Sequence, residues 1–87
     1  MKITEGLVVK SKAGRDKGDL FIVIRTEGEF LYIANGNLRK VDRPKKKKLK
    51  HLEVTDFVSE FVKNRLETLG KVTNQELRNA LAEYLNR

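Results

Sequence analysis

The side chains best suited to chemistry stand together in residues 36–51, which read Gly-Asn-Leu-Arg-Lys-Val-Asp-Arg-Pro-Lys-Lys-Lys-Lys-Leu-Lys-His. Arg39, Lys40, Arg43, Lys45, Lys46, Lys47, Lys48 and Lys50 face a single acid, Asp42, so this stretch alone carries the formal net charge of +7. The rest of the chain is balanced, with 11 basic and 11 acidic side chains. The chemistry open to such a tract is binding of a polyanion, because each lysine or arginine set against a phosphate releases condensed counterions. Charge kept for solubility would be interspersed over the surface. Lysine acts as a point charge and gives phosphate contacts with little sequence preference. The planar guanidiniums of Arg25, Arg39 and Arg43 suit bidentate contacts or stacking on a base. His51 either joins them at a base or phosphate or stands exposed beside Lys50.

Catalysis has no comparable concentration of groups. The chain has no cysteine and one histidine, which has no spaced Ser or Asp partner. Disulfides and thiolate metal sites are excluded, and one histidine cannot build a metal cage. The glycines form neither a P-loop nor a dinucleotide fingerprint. Asp16 and Asp19 are accounted for by turn position and nearby lysines. The expectation is a non-enzyme with no catalytic residues, no metal, no cofactor and no small-molecule substrate. No apolar run approaches the roughly 20 residues of a membrane span, and the N-terminus lacks a signal-peptide pattern. A cytoplasmic protein without a membrane partner is expected.

The elements that must position the cations follow two periodicities. Up to about Val54 the segments are short, rich in β-branched and aromatic residues, and punctuated by glycine. Leu7-Val8-Val9-Lys10 reads as a first strand, followed by a polar loop with cations Lys12, Arg15 and Lys17 that ends at Gly18. Leu20-Phe21-Ile22-Val23-Ile24-Arg25 reads as a second strand buried on both faces. Phe30 to Ala34 is a third, and Asn35-Gly36 has the signature of a type I′ hairpin turn. Residues 37–41 would then return as a fourth strand and residues 49–54 as a fifth. The four lysines at 45–48 cannot all point one way on a strand, so a bulged or open loop is expected there. Five short antiparallel strands in about 50 residues point to a small closed barrel. Phe21 is expected in the core, and Tyr32 either packs or stacks on unpaired bases.

After Thr55 the period is helical. Phe57, Val58, Phe61, Val62, Leu66 and Leu69 form one stripe, with Thr55 as N-cap and Gly70 as stop. Thr73-Asn74-Gln75-Glu76 fits a capping box, Val72 and Leu77 fit a hydrophobic staple, and Leu77, Ala80, Leu81, Tyr84 and Leu85 continue the stripe. Phe57, Phe61 and Tyr84 are expected to pack. Residues 55–87 carry balanced charge and read as a helical hairpin, with each narrow apolar stripe needing a surface to bury it.

Residues 5–23, with Gly18 closing a polar loop between two strands, resemble the KOW motif of several ribosomal proteins and NusG-like transcription factors. The resemblance departs where many KOW segments place a further glycine and this chain has Asp19, Leu20 and Phe21. Residues 5–56 in order, including Ala34-Asn35-Gly36, the basic stretch through Lys47-Lys48-Leu49-Lys50-His51-Leu52 and Val54-Thr55, resemble the ribosomal protein L-fourteen-e family and its small bacterial KOW-domain relatives. That resemblance implies an SH3-like β-barrel of KOW type over residues 1–54, with residues 55–87 as a two-helix extension. It also implies binding of structured RNA, ribosomal RNA or the ribosome foremost, in translation. The expected contact residues are Lys12, Arg15, Lys17, Arg25, Arg39, Lys40, Arg43, Lys45 to Lys48, Lys50 and His51. Three other readings compete. Pro44 with its lysines looks like a nuclear localisation signal, or is merely solvated charge. The barrel and residues 55–87 form a protein-interaction module of the transcription or translation machinery. Duplex DNA is the third, since charge alone does not distinguish it.

Overall fold

A computed structural model describes residues 3–87. Five strands, β1 (Leu7–Ser11), β2 (Leu20–Glu27), β3 (Phe30–Ala34), β4 (Lys45–Lys48) and β5 (Leu52–Val58), precede two helices, α1 (Glu60–Leu69) and α2 (Asn74–Leu85). The strands form one antiparallel sheet in the order β4-β3-β2-β1-β5. No helix among the described residues is long and apolar enough to cross a membrane.

Alternation along β1, β2 and β3 explains why both faces of the sheet are buried. Leu7, Val9, Phe21, Val23, Leu31 and Ile33 meet Leu52 in an inner cluster, with Val54 and Val58 packed against it. Their sequence neighbours Val8, Ile22 and Ala34 point the other way, into a second cluster with Val62, Val72, Leu77 and Ala80 of the helical segment. The continuous apolar run of β2 is therefore buried on both sides, as its sequence predicts, and the two helices cover the outer face.

The sheet curls without closing, which corrects the expected closed barrel: β4 and β5 are its two edges, with no pairing between them among the described residues. Flat, five strands would hold those edges about 19 Å apart, four spacings of about 4.8 Å. Yet β4 runs into β5 through a single 3₁₀ turn, Leu49–His51, which at about 2 Å per residue spans under about 10 Å. The edges must approach at this corner. The turn is tied down on both sides, by Leu49 N–H to the Glu29 carbonyl and by Lys12 N–H to the His51 carbonyl, each at 3.0 Å.

Two strands and one helix start differ from expectation. Residues 37–41 form bends instead of a fourth strand. Asn35 does not adopt the positive φ of a type I′ turn; among the described residues every positive φ belongs to a glycine. Its buried side chain instead accepts the N–H groups of Asn37 and Arg39 at 3.0 and 2.9 Å, while Val41 N–H donates to Asn74 Oδ1 at 2.8 Å. Side chains thus take donors that a ladder would have used. The fourth strand is the lysine run itself, paired from Phe30↔Lys48 to Ile33↔Lys45. A lysine-rich edge strand is one way in which sheets avoid edge-to-edge association.

Thr55 caps no helix. It lies inside β5, where its hydroxyl donates to the Val8 carbonyl at 2.6 Å, so residues 54 and 55 fall within one strand. Phe57 and Val58 also belong to β5, on opposite faces: Val58 meets the inner cluster and Phe57 the outer one, edge-on to Tyr84. The N-cap of α1 is Ser59, whose side chain accepts from Val62 N–H, and Gly70 is the left-handed C-cap. The Thr73 capping box of α2 forms as the sequence predicts, with Val72 and Leu77 buried beside it. Phe61 and Leu69 do not pack; they are 53% and 56% exposed.

Candidate nucleic-acid interface

Strand parity divides the lysine run into two pairs. Lys45 and Lys47 lie opposite Ile33 and Leu31 on the inner face, Lys46 and Lys48 opposite Tyr32 and Phe30 on the outer face. The four side chains are 32%, 48%, 9% and 43% exposed in sequence order.

Lys47 is consumed by the fold. Its ammonium donates to Ser11 Oγ, to the Ala13 carbonyl at 2.9 Å and to Asp16 Oδ1 at 2.6 Å. Lys45 donates to the other oxygen of the same carboxylate, Asp16 Oδ2, at 2.9 Å. Burial alone would raise the carboxyl's pKa. Hydrogen bonds from Lys47, Ser11 and Lys45, with the charge of Lys47, outweigh it and hold Asp16 well below the usual carboxylate range. Lys47 is therefore no free cation, a correction to its place among the contact residues, and Lys45 is half committed. What the network does for the site is to clamp the first loop, residues 12–18, onto β4. Gly18 lets that loop return: at φ +94° its N–H donates to the Ser11 carbonyl at 2.8 Å.

The outer face holds the other pair. A bulge after Val23 turns both Ile24 and Arg25 outward. Two rows then run across the strands, Arg25↔Tyr32↔Lys46 and Glu27↔Phe30↔Lys48. The Arg25 guanidinium sits over the Tyr32 ring at 4.0 Å, and Lys46 Nζ lies 4.5 Å from the Phe30 ring centroid and 5.9 Å from that of Tyr32. Lys48 Nζ is 5.7 Å from Phe30. Glu27 and Glu29 approach Lys46 and Lys48 at 3.7 and 3.5 Å, but all four are well exposed, and such pairs contribute only about 0–1 kcal/mol. An anion can displace them. The helices stop short of this area, since the outer cluster reaches Ile24 and Ala34 but includes neither Phe30 nor Tyr32. Cations interleaved with aromatic rings can hold phosphates and stack bases together.

The remaining predicted residues spread around this face and the clamped loop. Lys12, Arg15, Lys17, Lys40, Arg43 and Lys50 are exposed. Arg15 and half-buried Arg39 meet Lys45 and the exposed Leu38 around a shallow depression of about 220 Å³. His51 is half-buried and contributes its carbonyl to Lys12. Residues 35–44 are held in place from α2, through Asn74 to Val41 N–H and through the Arg78 guanidinium to the Gly36 carbonyl. Gly36 is required here: a Cβ would collide with the Asn74 carbonyl.

Sequence reasoning missed Asp16, Asn35, Asn74 and Arg78 as organisers, and Phe30 as a partner of the lysines. Only Phe30 left a signal, the alternation of Phe30 and Tyr32 with Leu31 and Ile33. The described residues contain no group of acids and histidines suited to a metal ion. Scanned against known protein-family models and searched against curated proteins, the sequence matches none.

Proposed function

We propose that this chain is an RNA-binding protein, acting without catalysis on structured RNA, with ribosomal RNA or the ribosome as its partner. The observation that carries the reading is the pair of rows Arg25–Tyr32–Lys46 and Phe30–Lys48 on a sheet face that the helices leave open. Phosphates lie along Lys46, Lys48 and the exposed cations of the first loop and of residues 36–51, and unpaired bases stack on the rings. An SH3-like barrel of KOW type belongs to the same proposal. It is supported by five antiparallel strands, by the 3₁₀ corner that brings the two edges together, and by Gly18 closing the first loop with a positive φ.

Filter binding of the protein to ribosomal RNA over a salt series tests the reading. With roughly five to seven phosphates neutralised, log affinity falls with log salt at a slope of about −4 to −6. The double variant K46A/K48A weakens binding and flattens that slope by about 1.8. A wild-type slope and affinity in the double variant refute the site.

A protein partner on residues 55–87 is the second reading, favoured by the exposure of Phe61, Leu69 and Leu85, the last at 66%. Sedimentation of lysate with and without ribonuclease separates the two. Co-migration with ribosomal subunits that ribonuclease abolishes supports RNA, and ribonuclease-resistant association with one protein supports the rival.

A further inference from the structure

Beside the stacked Arg25 and Tyr32 the outer face opens into a groove of about 620 Å³ between the sheet, the loop before β4 and the end of α1. Its walls are Ile24, Tyr32, Val41 and Leu66, and it also receives Arg25, Lys71 and one acid, Asp42. The volume lies in the range of small-molecule sites, about 300–1,000 Å³. An apolar slot of this kind beside a lysine row does not match the needs of a phosphate surface alone. It matches the needs of a base whose own phosphates are held next door.

We infer that the groove receives a single unpaired nucleobase of the bound RNA, so that the protein selects RNA carrying a bulged or looped-out nucleotide over uninterrupted duplex. This deepens the RNA-binding reading and rests on it. Three observations carry it. The Arg25 guanidinium lies over the Tyr32 ring at 4.0 Å and both side chains line the groove, and bases stack on guanidinium planes as well as on rings. Tyr32 pairs across the strands with Lys46, whose ammonium is 5.9 Å from its ring, so a base lodged here has cations in reach of its flanking phosphates. The charged residues at the groove are two cations and one acid, which favours an anionic polymer over an acid-seeking or neutral apolar partner. A base inside an A-form helix is already stacked and paired and cannot enter, whereas an extruded base is free to do so.

The test uses three fluorescein-labelled RNA hairpins of one length: fully paired, with a single adenine bulge, and with an abasic residue at the bulge. Anisotropy titrations with wild-type protein read the affinities. The bulged hairpin is expected to bind about fivefold to a hundredfold tighter than the paired one, the gain for stacking one base. The abasic hairpin, which keeps the bulge's sugar and phosphate, falls back to the paired level. Y32L loses the preference and binds the bulged and paired hairpins equally. The abasic arm needs no substitution, so the inference stays testable even if Y32L folds poorly. Equal binding of bulged and paired hairpins with a steep salt dependence, or an abasic hairpin that binds as tightly as the adenine bulge, overturns the groove assignment and leaves the phosphate surface standing. Absence of salt-dependent binding to all three overturns both.

Discussion

Replacing Lys47 by methionine separates what the charge count says from what the fold says. On charge alone, K47M should behave like K46M, losing one phosphate contact and leaving stability untouched. The structure predicts the reverse. Lys47 is 9% exposed and Asp16 13%, and the Lys47 ammonium gives all three of its hydrogen bonds to groups around the first loop. Removing one partner of a buried, hydrogen-bonded ion pair costs about 3–5 kcal/mol. Lys45 and Ser11 still hold Asp16 in K47M, at 2.9 and 2.6 Å, so the lower end applies, about 3 kcal/mol. For a domain of this length that lowers Tm by roughly 12–24 °C. D16N falls at the upper end, about 5 kcal/mol, because it leaves the Lys47 ammonium buried without a counter-ion.

The pH dependence has a definite sign. The folded carboxyl of Asp16 sits below its unfolded value of about 3.9. Its contribution is therefore fully present above that value and is lost as pH falls through the lower, folded one. The stability gap between wild type and D16N should be constant from neutral pH to about 5 and shrink below about 4. Urea unfolding followed by circular dichroism at several pH values measures this, and the salt slope of RNA binding by folded K47M should equal that of wild type. A Tm within a few degrees of wild type, together with a slope flattened by about 0.9, would place Lys47 on the RNA and refute the clamp.

Three further substitutions check the elements that carry the site. G36A forces a Cβ into the Asn74 carbonyl at a backbone with φ +77°; it should cost about 1–3 kcal/mol, and hydrogen exchange should rise in residues 35–44 and at the start of α2. S59A removes the cap that receives Val62 N–H and should cost about 1 kcal/mol in thermal unfolding. T55S, by contrast, keeps the hydroxyl bond to Val8 within β5 and should leave the helix content by circular dichroism unchanged.

How far each element could be read from the sequence depends on whether its signal is local. The first three strands and α2 were legible because alternation, the polar loop and the capping box act within a few residues. The start of α1 was not, because Phe57 and Val58 fit two patterns equally: adjacent positions on a helical stripe, or opposite faces of a strand. Pairing with β1, a long-range event, chose the strand. The fourth strand was hidden more thoroughly. Lysine has low strand propensity, and nothing near residues 45–48 announces that β3 needs a partner there. The candidate site was half legible. Its cations and Tyr32 could be named from the sequence, but the role of Asp16 depends on lysines 29 and 31 positions away.

A run of four identical residues does two different jobs here because a strand has a period of two. Pairing Lys46 with Tyr32 sends 46 and 48 to the open face and 45 and 47 to Asp16. A slip of one residue would exchange the pairs, and composition would not object, since every position is lysine. The register must then be set from outside the run. Pro44 has no N–H to donate and begins the strand on one side. The Leu49 N–H bond to the Glu29 carbonyl ends it on the other. Between them the single carboxylate of Asp16 accepts from the two lysines that this register turns inward. Charge density thus supplies affinity for phosphate, while the ends of the run set which lysines are left free and the acid inside the fold holds the other pair.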